Sequence, residues 1–195
     1  MDYGFPAGPL MGTQIGKVMT VENTNYTLVN VLSETLKQEL RERWVVYEAT
    51  APGTTQRYAL KVRYQTDTAG PDVRDLVTEE VLARISFGAE CQALDDCSGS
   101  GYTPTFHGSA ELPERENPVK PGGHVLAIAM SLAPGINVAR MPTLIDSDIA
   151  IIRSQVVNAL AYMRRKGLNF IVKKDNIFYH PISREMYVLL SPSSR

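Results

Sequence analysis

The chain has 195 residues and a net charge of −1, with 44% hydrophobic and 21% charged residues. That composition is ordinary for a globular protein, and the length allows a sizeable core as one medium domain or two small lobes. A near-zero charge offers no electrostatic footprint for nucleic acid or an anionic membrane surface, and no apolar run reaches the length of a membrane span. The first residues, MDYGFPAGPLMGTQIGK, carry neither a basic start nor a continuous apolar stretch, so a secretory leader is not expected. The two cysteines, Cys91 and Cys97, make neither a disulfide framework nor a zinc site; reduced thiols in a cytoplasmic or nuclear protein are expected.

Residues 1–20 are rich in Gly and Pro without periodicity and read as a flexible arm. Strands are predicted over 26–32 (YTLVNVL), 44–50 (WVVYEAT) and 56–64 (QRYALKVRY). The last two are joined by APGTT, where Pro52-Gly53 suits the centre of a type II turn. In the returning strand Tyr58, Leu60 and Val62 share one face, and Ala59, Lys61 and Arg63 the other. A helix is predicted over 72–94, with Leu76, Val81, Leu82 and Ile85 as its apolar stripe and a break at Gly88. A short strand follows at 103–108, then a polar loop over 109–123. The continuous apolar run at 124–132 (HVLAIAMSL) reads as a buried strand.

The clearest helix follows, with Asp146 as N-cap, Asp148 at the positive end of the dipole, and Ile149, Ile152, Val156, Leu160 and Met163 at helical spacing. Arg164, Arg165 and Lys166 occupy its last turn, and Gly167 ends it. Residues 177–179 and 186–190 flank a turn and predict a hairpin.

Several stretches in this order resemble the protein-kinase fold, and segments such as AECQAL, LAPGINV and GLNF…DNIFYH resemble fungal kinase-like sequences. Tyr58-Ala-Leu-Lys-Val62 is similar to the family's Val-Ala-Ile-Lys strand, and residues 44–49 to the strand that follows the glycine-rich loop. The resemblance implies an α+β architecture. It consists of a small lobe of antiparallel five-stranded sheet plus an αC-like helix, followed by the first helices and the catalytic-loop hairpin of a large lobe. The implied division is 1–20 arm, 21–132 small lobe and 133–195 partial large lobe, ending at the position of the family's Asp-Phe-Gly triplet. The resemblance further implies that Val46, Ala59, Lys61, Met130 and Leu132 line a nucleotide site. Glu90, or alternatively Glu80, would pair with Lys61, and Asn176 would be a metal ligand.

Other positions depart from the family. Phosphoryl transfer uses one Asp to orient the substrate hydroxyl and another to hold Mg²⁺. Ile171 stands where the first is expected, and Asn169 where the preceding His is expected. Ser191 stands at the second, and residues 33–43 (SETLKQELRER) contain no glycine to bring backbone close to phosphates.

The resulting expectation is a truncated, catalytically inactive kinase-like chain, a pseudokinase fragment. It would act through a protein partner or self-association, with ATP and Mg²⁺ bound weakly at most. An active phosphotransferase with an incomplete chain or displaced metal ligands is one alternative; an unrelated α+β interaction domain is the other.

Overall fold

A computed structural model describes residues 10–66, 76–170 and 172–190. The chain divides into two compact units, Met1–Val81 with His107–Met130, and Leu82–Phe106 with Ser131–Arg195.

The first unit is built on a sheet in the order β1-β2-β3-β4-β6-β5. Its strands are β1 (Val18–Val21), β2 (Thr24–Lys37), β3 (Glu42–Thr50), β4 (Arg57–Gln65), β5 (Phe106–Leu112) and β6 (Val125–Ser131). The pairs β1–β2, β2–β3 and β3–β4 are antiparallel. Register follows from alternation. Val45, Tyr47 and Ala49 lie opposite Val62, Leu60 and Tyr58, so their side chains share one face. Leu28 and the odd-numbered residues Val125, Ala127 and Ala129 of β6 complete that core.

A five-stranded sheet was expected, and the sheet of this unit has six strands among the described residues. The extra edge strand, β1, and a short 3-10 turn at Leu10–Gln14 come largely from the segment read as an arm. Met11, Met19 and Val21 are buried in the core they cover. The segment lacks periodicity because its apolar contributions are too few and too scattered to register as a pattern. On the same unit the Tyr26, Tyr58 and His107 rings form an edge-to-face ladder, with centroids 5.2 and 5.1 Å apart.

The charged stretch after residue 32, for which no element was predicted, continues the strand. β2 runs on to Lys37, a 3-10 turn spans Gln38–Leu40, and β3 starts at Glu42. Two register shifts along β2, between Leu28 and Asn30 and between Val31 and Ser33, bend it without ending it.

In the second unit, α1 (Leu76–Cys97) continues from the first and is unbroken at Gly88. Its packed face carries Ala83, Glu90, Ala93, Leu94 and Cys97. The expected stripe is a different face: Val81, Leu82 and Ile85 are exposed, and the Leu76 side chain lies outside the described ones. Periodicity weights large apolar residues, whereas the packed face is built mostly of small ones. β5 starts at Phe106, later than expected, and takes in the first residues of the predicted loop.

α2 (Asp146–Arg165) matches the predicted helix, with Ile152, Ala159 and Met163 buried. Ile145 is its N-cap and makes no side-chain cap bond, so Asp146 is the first helical residue rather than the cap. Asp148 accepts a hydrogen bond from the Tyr179 hydroxyl at 2.9 Å. Three short strands, β7 (Ile136–Asn137), β8 (Ile177–His180) and β9 (Glu185–Val188), form an antiparallel sheet in that order. The Gln155 amide of α2 serves its edge, donating to the Arg184 carbonyl at 2.7 Å and accepting from the Met186 amide at 2.9 Å.

Candidate functional site

Face alternation places the candidate residues of the first unit. Val46 lies opposite Lys61, and Glu48 opposite Ala59. Val46, Ala59 and Lys61 therefore share the sheet face away from the Tyr47–Leu60 core. Met130 falls on that same face, because its odd-numbered neighbours in β6 belong to the core.

The same face carries a cluster that motif reading missed. Glu42 is 0% exposed, and its two carboxylate oxygens have different partners. Oε1 lies 3.0 Å from His124 Nε2. Oε2 accepts from the Trp44 indole N–H at 2.6 Å and lies 3.8 Å from an Arg63 guanidinium nitrogen. Arg63, also 0% exposed, stands opposite Trp44 in register. The Lys61 ammonium and the Arg63 guanidinium each lie 4.3 Å from the centre of the Trp44 ring, and the Lys37 ammonium lies 5.2 Å from it. Lys61 is 8% exposed. A cation over an indole face is attracted by the ring quadrupole, more strongly when desolvated. Trp44 is thus held by its N–H at one edge and by cations at its face.

Asn117, also buried, fixes the strand ends beneath this cluster. Its amide donates to the carbonyls of Gln65 (2.9 Å) and His124 (3.3 Å), and its oxygen accepts from the Val119 and Lys120 amides, each at 2.9 Å. The sequence did hold a signal for the cluster. Glu42 and Trp44, then Lys61 and Arg63, put polar or aromatic groups at period two in otherwise apolar strands, and Trp44 is the single tryptophan.

The glycine-free hairpin above this face is closed by its own residues. Ser33–Lys37 of β2 pair in unbroken register with Val46–Glu42 of β3, and Arg43 is paired with Glu34. At its tip Arg41 adopts φ 47 and donates its amide to the Gln38 carbonyl.

The remaining candidates, apart from Glu80, belong to the second unit. Glu90 is buried on α1, whereas the alternative Glu80 is exposed. Leu132 is half-buried after β6. Asn176 ends the 3-10 turn Lys174–Asn176, and its carbonyl accepts from the Leu189 amide at 2.8 Å. The turn is braced by Asn137, whose amide donates to the Asp175 carbonyl at 2.6 Å. Ile171 and Ser191 lie outside the described residues. Among the described residues, no three His, Cys, Asp or Glu side chains gather as a metal site. No described helix is long and apolar enough to cross a membrane.

No family model matches the chain, and no curated protein sequence does. Solved structures do. The chain is similar to the kinase domain of Mycobacterium tuberculosis PknI, with TM-score 0.55 and 21% identity, over 92% of this chain and 64% of that domain. It is also similar to the Cydia pomonella granulovirus kinase PK-1, with TM-score 0.51 and 15% identity, over 84% of this chain and 49% of that one. The chain therefore spans less than two thirds of either kinase. It has a protein-kinase-like fold, a small-lobe-like sheet followed by part of a large lobe.

Proposed function

We propose that this kinase-like chain works by binding another protein and does not transfer phosphate. The observation that carries the reading is the β2–β3 hairpin. Where a phosphate cradle would need backbone amides free of side chains and of partners, this hairpin is a regular ladder through Lys37 and Glu42. Its tip is built from Gln38, Glu39, Leu40 and Arg41. An isoleucine at Ile171 and a serine at Ser191 supply neither the proton-accepting nor the metal-holding carboxylate that phosphoryl transfer uses. A binding role is supported by the outer face of α1. Val81, Leu82 and the 62%-exposed Ile85 form an apolar stripe suited to a protein surface of like character.

The alternative, a nucleotide-dependent phosphotransferase, is favoured by one feature: Val46, Ala59, Lys61 and Met130 share one sheet face. A γ-labelled ATP assay with Mg²⁺ or Mn²⁺, scoring self-labelling and labelling of a generic protein substrate, separates the two. The binding reading predicts no transfer above the background of a Lys61→Ala variant. Transfer that Lys61→Ala abolishes would establish the alternative.

A further inference from the structure

We propose that Trp44 is a built-in plug, an autoinhibitory side chain that keeps phosphate anions from Lys61 and Arg63. The inference rests on the proposed absence of phosphate transfer, and adds the residue that keeps phosphate from this face.

The geometry supports a fixed occupant rather than a mobile cover. The indole N–H is anchored to Glu42 at 2.6 Å. Glu42 is fully buried and is itself held by His124 and faced by Arg63. The ring face meets Lys61 and Arg63, each at 4.3 Å. An anion reaching either cation over the ring has to displace the indole, losing both cation–π contacts and the N–H bond. It also arrives beside the Glu42 carboxylate, which repels it in a site of low dielectric. A neutral aromatic that faces two cations while adding no charge is chemically suited to this blocking role. Register makes Trp44 the residue that can fill it, since it is paired directly with Arg63 and diagonally with Lys61.

Trp44 is also the chain's single tryptophan, so its emission reports on this site alone. Two probes are used, inorganic tripolyphosphate and ATP. In the unaltered chain, titration with either leaves the emission unchanged. A saturable change that Lys61→Ala removes overturns the proposal, because the anion then reaches the cations with the indole in place and Trp44 is a shelf instead. In Trp44→Gly, calorimetric titration shows tripolyphosphate binding at least 10-fold tighter than in the unaltered chain, and the added Lys61→Ala change abolishes the gain. A folded Trp44→Gly that gains nothing also overturns it. If Trp44→Gly does not fold, Trp44→Leu, which keeps apolar bulk but has no π face or N–H, is titrated instead and must show the same gain. A Trp44→Gly protein that binds ATP yet transfers no phosphate supports both readings. One that transfers phosphate keeps the plug and overturns the proposed function.

Discussion

The ammonium of Lys61 lies 4.3 Å from the centre of the Trp44 ring, diagonally across the β3–β4 pair. The lysine that family resemblance assigns to a nucleotide's phosphates is thereby engaged by an aromatic side chain of its own sheet. Beneath the ring, Glu42 links Trp44, Arg63 and His124 into one buried network. Such networks are costly to break, because removing one charge leaves the others facing low dielectric.

Glu42→Gln is therefore expected to destabilise the chain by about 3 kcal/mol, near the lower end for breaking a buried ion pair. Urea denaturation followed by Trp44 emission measures it. A loss below about 1 kcal/mol would show that the carboxylate contributes little to holding the face together.

Two glycines with opposite surroundings should respond in opposite directions. Gly135 has φ +92, and a Cβ there would meet the Tyr179 backbone and stand 2.7 Å from the His180 amide nitrogen, where β7 pairs with β8. Gly135→Ala should cost about 3 kcal/mol in strain and overpacking. Gly88 sits inside α1 with nothing within 4 Å of an added Cβ. Gly88→Ala should stabilise by about 0.5–1 kcal/mol, through the lower backbone entropy of alanine. Thermal melts of the two variants give the signs, and a stable Gly135→Ala contradicts the β7–β8 geometry.

Burial holds the His107 imidazole below its ordinary value of 6.5, and its Nε2 is buried without a hydrogen-bond partner. An unfolded chain takes up this proton near pH 6.5, whereas the folded chain takes it up only at lower pH. This contribution to stability is complete above 6.5 and is lost as pH falls from there towards the folded value. His107→Phe, which keeps an aromatic ring beside Tyr58, should flatten the fall in melting temperature between about pH 7 and 5. An unchanged slope would show that other groups control that range.

The exposed stripe of α1 predicts a surface phenotype. Ile85→Glu should leave the melting temperature within about 2 °C, because surface changes away from packed features cost little. It should also reduce any concentration-dependent association seen by sedimentation. A marked loss of stability would mean that Ile85 packs against the chain itself.

Much of this fold was legible from local pattern. The strands around Val45, Leu60 and Ala127 alternate or run apolar, and α2 carries its stripe, its acidic first turn and its basic last turn within one continuous segment. What stayed hidden depends on pairing between distant segments. That Met19 and Val21 cover the Tyr47 core follows from β1 pairing with β2, which a four-residue strand does not announce. The strand through Ser33–Lys37 is charged, and its pairing with Glu42–Val46 is what holds it extended. The grouping of Glu42, Trp44, Lys61, Arg63 and His124 needs the registers of β3, β4 and β6 together. Motif singled out Lys61, and the period-two spacing of Glu42 with Trp44 hinted at a polar face, but only the register places the indole over the lysine.

The proposed binding role has this kinase-like chain setting nucleotide chemistry aside. It is tested most directly by a thermal melt with and without saturating ATP and Mg²⁺. A ligand that binds only the folded state at 100 times its Kd adds about 2.7 kcal/mol, a shift of several degrees. A cooperative melt that nucleotide and metal leave in place is expected. A Mg²⁺-dependent rise that disappears in Lys61→Ala would contradict it.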